Sequence, residues 1–347
     1  MRVLLARVKL LEPLMLRGPG EFDPSSRGVY SYALSLPMPR PSTVLGALMS
    51  GQRSCKLTAP ESFKGLLKFY EDALDCMGIE AIRGFHSYSR RSNRVYVPLL
   101  MGFKRPVLID YEVIEGIEAN ILDYLIESRA GGGLPSDFME RVKKLEELVG
   151  KETLKLKVQE RVGIALGARA REASKTAREG YIYTTKYLSY ADPTVEVRFH
   201  LIQKEDREMV IPREVDLALK LGGEQRITAM RVEEGKDKIT ERLLKFKEGE
   251  HKYLLLTTPA PINLKDFNRI PAYIGRINII GLGYSLAHKK RKPLYPVLME
   301  GTIVKAEKVG EEALRYGIYA VMGLHEDEEY RALGRIGYGT VIPITPP

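Results

Sequence analysis

The sequence holds no apolar run near the roughly 18–20 residues that a membrane-spanning helix needs, and only two cysteines, Cys55 and Cys76, in 347 residues. Two are too few for a disulfide framework or a zinc site. The five histidines (His86, His200, His251, His288, His325) are scattered, with no HExxH, no His-Asp pair and no metal-ligand spacing. His200 falls in an apolar stretch, the setting of a packed side chain rather than a catalytic one. A P-loop and a Gly-x-Ser-x-Gly elbow are also lacking. These absences argue against metal-dependent chemistry, nucleotide hydrolysis and serine-hydrolase chemistry, and no cofactor or metal is expected. The opening Met1-Arg2-Val3-Leu4-Leu5-Ala6-Arg7 carries charge inside what would be the apolar core of a signal peptide. It reads as a first strand, and the expected location is the cytoplasm, with no membrane contact. Asn and Gln together number nine, and with abundant Lys, Arg and Glu this is a heat-adapted composition.

What is present is basic and apolar. Hydrophobic residues make up 44% and charged residues 29%, with a net charge of +9. Such a surface attracts phosphate by Coulomb attraction and counterion release, although solvated lysines and arginines give the same sum. The length exceeds one compact domain and predicts two cores.

Hydrophobic periodicity divides the chain. Residues 2–11 alternate as a strand, and residues 18–40 form a Gly-, Pro- and Ser-containing loop. A helix begins at Pro41-Ser42-Thr43, with Ser42 or Thr43 as N-cap. A second helix covers residues 63–77. Residues 83–99 read as a hairpin turning at Ser92-Asn93. Helices are expected over 117–128 and 137–149, parted by Gly131-Gly132-Gly133, and a strand over 154–166. In the second half, residues 194–203 read as a strand and 214–221 as a short helix closed by Gly222-Gly223. Residues 227–232, 253–258, 276–282, 297–305 and 336–344 read as further strands. Strand, helix, then strands in each half predicts an α+β fold of two ferredoxin-like (RRM-like) domains in tandem, with domains at 1–178 and 179–347.

Three kinds of segment suit an anion. Gly334-Arg335-Ile336-Gly337-Tyr338-Gly339-Thr340 sets glycines beside Arg335 and Tyr338; glycine lets backbone amides approach a phosphate, and a tight turn at a strand start explains the glycines equally well. Leu221-Gly222-Gly223-Glu224-Gln225-Arg226 is a helix C-cap or a turn from which Arg226 reaches phosphate. Arg40, Ser42 and Thr43 at a helix start offer charge, hydroxyls and the positive dipole end, where capping alone also suffices. Residues 169–190 interleave Arg169, Arg171, Lys175, Thr176, Arg178 and Lys186 with small residues before Tyr181, Tyr183, Tyr187 and Tyr190. Cations of this kind follow a backbone while aromatic faces stack bases; alternation would turn about half of those tyrosines inward. Lys289-Lys290-Arg291-Lys292-Pro293 is a second basic run, either a solvated tip or a phosphate contact. Arg83, Arg90, Arg91 and Arg94 form a third cluster.

Together these segments resemble the third subunit of Cmr complexes, the type III-B CRISPR effectors, a RAMP protein of the kind that caps the guide's 5′ tag. The resemblance rests on Pro39-Arg40-Pro41-Ser42-Thr43-Val44-Leu45-Gly46-Ala47-Leu48, on Arg161-Val162-Gly163-Ile164-Ala165-Leu166 leading to Thr176-Ala177-Arg178-Glu179-Gly180-Tyr181, on Leu221 to Arg226, and on Leu255-Leu256-Thr257-Thr258-Pro259-Ala260. Gly283-Tyr284-Ser285-Leu286-Ala287 before the basic run and the C-terminal glycine segment complete the order. Gly167 and Tyr284 depart from the pattern, and residues 131–150 have no counterpart in it. The resemblance implies two RAMP-type ferredoxin-like domains and no cleavage activity. It also implies crRNA 5′-tag binding beside a large polymerase/cyclase-like subunit and a backbone-forming RAMP subunit. An alternative is a RAMP endoribonuclease that processes precursor crRNA, for which His86, Tyr88 and Arg90 form the local acid-base set. A scaffold that uses its basic surface only for assembly is the other alternative.

Overall fold

The computed structural model describes the chain apart from residues 1, 17, 19–31, 34, 53, 59, 101–104, 129–137, 167–176, 223–225, 248–251, 286–289 and 307–308. For residues 32–33, 138–139, 141–142, 163–166, 177–184, 284 and 290–291 it describes the backbone alone. In the first part run β1 (Arg2–Leu10), β2 (Tyr32–Ala33), α1 (Pro41–Ser50), α2 (Phe63–Cys76), β3 (Ile79–Ser89), β4 (Arg94–Leu99) and β5 (Val107–Asp110). There follow α3 (Tyr111–Glu115), α4 (Ala119–Ser128), α5 (Phe138–Lys151), β6 (Leu156–Leu166), β7 (Ala177–Tyr190), β8 (Val195–Gln203), β9 (Leu217–Leu221) and β10 (Arg226–Glu234). Next come α6 (Lys238–Leu244), β11 (Tyr253–Leu256), β12 (Ala260–Pro261), β13 (Tyr273–Ile274), β14 (Ile277–Gly281), β15 (Tyr284–Ser285) and β16 (Lys290–Arg291). The last are β17 (Leu294–Leu298), β18 (Ile303–Lys305), α7 (Glu312–Tyr316), α8 (Ile318–Val321), α9 (Glu328–Arg335) and β19 (Val341–Ile344).

Seven strands form one antiparallel sheet in the order β5-β4-β3-β8-β1-β10-β9. Its middle strands β10-β1-β8-β3, numbered along the chain, read fourth, first, third, second. A four-stranded antiparallel sheet, β13-β18-β11-β19, shows the same order from its other edge. The division expected at residue 178 is corrected here: β8, β9 and β10 join the sheet of β1 and β3, and the second sheet starts only at Tyr253. Strand pairing across two hundred residues leaves no local compositional mark, which is why the boundary was misplaced. The architecture is mixed α/β with antiparallel main sheets. Buried side chains of both sheets, among them Phe85, Phe199, Leu254 and Ile303, form one continuous hydrophobic cluster.

Local chemistry explains most of the elements. In α2, Leu66, Leu67, Tyr70, Ala73 and Leu74 recur at helical spacing and are buried, while the Ser62 side chain accepts from the Gly65 amide at the N-cap. Each large side chain so buried contributes about 1.5–3 kcal/mol. The turn at Asn93, with φ 57, joins β3 to β4 as expected. Residues 214–221 are not a helix: Leu217, Leu219 and Leu221 alternate with Ala218 and Lys220, and this two-residue period pairs β9 with β10. The strand expected over 297–305 is split at Gly301, whose φ of 83 ends one pairing direction before β18 begins. Residues 336–344 are strand only from Val341, the preceding glycine segment closing α9 instead. No helix among the described residues is long and apolar enough to cross a membrane.

Cys55 and Cys76 are joined to each other, with Cα atoms 5.9 Å apart across a separation of 21 residues. A single bond of this kind needs no framework, so the low cysteine count did not exclude it. Closing such a loop restrains the unfolded chain by about 3 kcal/mol. The Cys55→Ser, Cys76→Ser pair is therefore expected to lower the free energy of urea unfolding by about that amount, and an unchanged midpoint would show the bond to be energetically idle.

Candidate nucleic-acid interface

The start of α1 draws together residues from three distant segments. Pro41 occupies the first helical position and Arg40, in extended conformation, is the N-cap with no side-chain cap. Proline lacks the amide and has a preset φ, so the helix starts there without Ser42 or Thr43 as cap. The Ser42 hydroxyl is thereby released: it lies 3.2 Å from the Tyr338 hydroxyl and accepts a 2.9 Å hydrogen bond from the Lys292 ammonium. The Arg40 guanidinium donates to the Gly281 carbonyl at 3.3 Å, and Lys292 stands over the Tyr70 ring at 5.6 Å. Amides of Thr43 and Val44 both point back to the Arg40 carbonyl, so an anion here meets side chains rather than the helix amides.

Charge at this seat is tunable. Burial, and then the charge of Arg40, lower the Lys292 pKa to about 7. Burial also raises the Glu300 carboxyl, against the pull of Arg40, and its Oε2 has no hydrogen-bond partner. Glu300 was not singled out in the sequence, because nothing near it in the chain marks it. Ile279 and Leu294, 67% and 73% exposed, lie on β14 and β17, diagonal to one another across the pairing of Gly281 with Leu294. These too went unnoticed, since alternation predicts one buried face and here both residues face outward.

A second gathering lies at the root of the β6–β7 hairpin. Arg161 and Arg226 stack on the Tyr187 ring at 4.7 and 4.8 Å. Glu12 accepts from the Arg226 guanidinium and, at 3.1 Å, from the Ile227 amide. Gly222, with φ 80, lies so close to the Met15 carbonyl that a Cβ would come within 2.7 Å. The expected helix C-cap is thus a turn between β9 and β10, and Arg226 is already engaged by Tyr187 and Glu12. Arg169, Arg171, Lys175 and Thr176 in the β6–β7 connection, together with Gly223 and Lys289, lie outside the described residues. So do the side chains of Arg178, Tyr181, Lys290 and Arg291.

The glycine segment is corrected in its chemistry. Arg335 is 7% exposed; it donates to the Glu80 carbonyl at 2.9 Å and to Asp75 at 2.6 Å. A Cβ on Gly337 would strike Phe85, and one on Gly339 would strike Ile318. The Thr258 hydroxyl donates to the Gly337 carbonyl at 2.6 Å. These glycines permit close packing of chain on chain, and only Tyr338, through Ser42, reaches the seat.

His86 is fully buried, with Nδ1 2.7 Å from the Gly84 carbonyl and Nε2 3.2 Å from Asp237. The Tyr88 ring is covered by Arg198 at 3.5 Å, its hydroxyl donates to Asn93, and Arg90 pairs with Glu196. The histidine of this set is therefore shut off from solvent. No cluster of three or more His, Cys, Asp or Glu side chains suited to a metal occurs among the described residues.

Residues 134–345 match the profile of the family described as CRISPR-associated protein (Cas_Cmr3). The chain is similar to the CRISPR system CMR subunit Cmr3 of Saccharolobus solfataricus, 28% identical over 310 residues, covering 86% of this chain and 84% of the relative. It also superposes on a chain of the type III-B Cmr-beta complex bound to cognate target RNA, with a TM-score of 0.67 and 24% identity over 98% of this chain and 96% of the other. A second such complex, with target RNA and AMPPnP, gives a TM-score of 0.65 and 23% identity over 98% and 96%. These two likenesses carry the fold alone. The chain belongs to the Cas_Cmr3 family of CRISPR-associated proteins, the third subunits of type III-B Cmr effector complexes.

Proposed function

We propose that this chain is a non-catalytic subunit that binds the 5′ tag of the crRNA and bridges the large polymerase/cyclase-like subunit to the backbone-forming RAMP subunit. The observation that carries the RNA reading is the convergence of Arg40, Ser42 and Lys292 on one seat. Two cations with a hydroxyl between them suit a phosphate, which accepts charge-assisted hydrogen bonds from both. The exposed Ile279 and Leu294 lie on β14, which ends at Gly281, and on its partner β17, and supply an apolar surface for a sugar or base. Two tandem ferredoxin-like domains are the finer fold reading, supported by the shared strand order of the two sheets. Against an endoribonuclease stands the burial of His86.

The test is a competition between tagged and untagged guide on the reconstituted complex, with wild type and the Arg40→Gln, Lys292→Met variant. The variant is expected to lose several-fold affinity, more for tagged guide, and its salt slope should shrink by about 1.4, or 0.7 per lost phosphate contact. Lys292 carries its charge below about pH 7 and loses it above, so wild-type affinity should fall as pH rises through 7 while the variant's does not. Equal loss for both guides would reject the tag assignment, and an unchanged slope would move the RNA elsewhere.

A further inference from the structure

The opposite face of the seven-stranded sheet carries an arrangement unconnected with the α1 seat. Register places Arg231 of β10, Arg7 of β1 and Arg198 of β8 directly beside one another in a row. The next row holds Ala229, Lys9 and Glu196, and beyond β10 lie Ala218 and Lys220 of β9, opposite Ala229 and Ile227. Like charges set directly opposite in a sheet repel, so a row of three arginines needs compensation. Glu196 supplies part of it: Arg7, Arg90 and Arg198 each approach its carboxylate at 3.2 Å. Glu233 adds a 3.1 Å contact to Arg7. Arg198 also lies 3.7 Å from Asp237, which is shared with His86 and His200.

The compensation stops short of the outer strands. Arg231 is exposed and spends one guanidinium nitrogen on the Glu214 carbonyl at 3.0 Å. Lys9 is exposed as well. Among the described residues no carboxylate forms an ion pair with either. Among the described residues, Arg7, Lys9, Arg90, Arg198 and Arg231 thus share Glu196, Glu233 and part of Asp237, leaving an excess of positive charge on a surface where Arg90 is 47% and Ile227 51% exposed.

We propose that this face binds the sugar-phosphate backbone of a single-stranded nucleic acid, at a place separate from the α1 seat. Neighbouring strands set the cations about 4.8 Å apart across the sheet and about 6.8 Å apart from Arg7 to Lys9 along β1. A run of phosphates can follow such a grid. Ala229 and Ala218 keep the surface low between the cations, so a chain can lie across it, and Ile227 offers an apolar contact to a base or sugar. An acidic protein segment would bring carboxylates to the same guanidiniums, yet tight protein contacts centre on a pocket that receives an anchoring side chain, and the cleft that borders these rows at Arg198 carries Asp110, Glu112, Glu214, Glu233, Glu234 and Asp237 in its lining, which repel an acidic anchor.

The probe is a fluorescent oligouridine without any tag sequence, titrated by anisotropy into the full chain at several salt concentrations. Lys9→Gln with Arg231→Gln removes two exposed cations, so the melting temperature should hold. Binding should weaken several-fold, with the salt slope reduced by about 1.4. The Arg40→Gln, Lys292→Met variant should keep this component, which separates failure of the face from failure of the seat. An unchanged slope in the Lys9, Arg231 variant would overturn the proposal, and so would loss of all oligouridine binding in the seat variant. A variant that loses an oligoglutamate ligand while holding oligouridine as before would assign the face to an acidic protein instead.

Discussion

Replacing Arg83 with Met is expected to lower the stability of the protein by about 3–5 kcal/mol. Arg83 is fully buried and has no ion-pair carboxylate among its described contacts. Its guanidinium donates to carbonyls instead: Leu314 at 3.1 Å, Ile82 at 2.6 Å, Gly334 at 2.7 Å and Arg315. Leu314 and Arg315 lie in α7 and Gly334 in α9, in each case within the last turns, where carbonyls lack intrahelical partners and the helix dipole is negative. One side chain of β3 therefore ties the first sheet to the helices that precede β19. Burial lowers its pKa to about 9, so the cation persists at neutral pH. Met fills much of the volume but withdraws this donor from the Leu314 and Arg315 carbonyls, whereas the Gly334 carbonyl keeps the Gly337 amide at 2.8 Å. Arg83→Lys keeps charge yet reaches fewer of them, and should fall between Met and wild type. Urea unfolding followed by circular dichroism reads the effect; a Met variant within 1 kcal/mol of wild type would show that the carbonyls find other donors.

Asp237→Asn should be comparably severe, about 3–5 kcal/mol, because it removes the one anion among several buried donors. His200 Nε2 lies 3.1 Å and His86 Nε2 3.2 Å from the two carboxylate oxygens, and the Thr240 amide donates at 2.8 Å to cap α6. Burial alone would raise this carboxyl, yet the hydrogen bond with His200 and the close approach of the His86 ring hold it well below the usual carboxylate range. A depressed carboxyl contributes stability that is present above its unfolded pKa of about 3.9 and lost as pH falls toward the folded value. Burial lowers His200, so below about pH 6.5 the unfolded chain binds a proton that the folded chain resists, and stability drops there too. Wild-type melting temperature should thus decline steadily from pH 7 to pH 4. That decline belongs to His200; the carboxylate share is lost only below about pH 4, and Asn removes it. A wild-type melt that does not change over this range would contradict the account.

Local pattern was sufficient for much of the chain. Two-residue alternation located β1, β3, β4, β8 and β10, helical spacing of Leu66, Tyr70 and Leu74 located α2, and the order of short segments from Pro39 onward was enough for the family. Each of these is written within a window of a few residues, where side-chain direction follows from the backbone period alone. The residues of the α1 seat were each marked in the sequence, Arg40 and Ser42 by the helix start and Lys292 by its basic run, but nothing there said that they meet.

Tertiary structure decided the rest. The Lys292 ammonium and the Ser42 hydroxyl are brought together across a separation of 250 residues, and burial of Lys292 beside the Arg40 charge moves the lysine toward neutral pH. Arg335 and Arg83 looked like phosphate ligands because a sequence shows charge and not direction; both turn inward, to Asp75 and backbone carbonyls in one case and to helix-end carbonyls in the other. The same holds for the arginine row. Arg7, Arg198 and Arg231 stand far apart in the chain, and register alone makes them neighbours, since sheet pairing couples positions by hydrogen-bond geometry rather than by distance along the sequence.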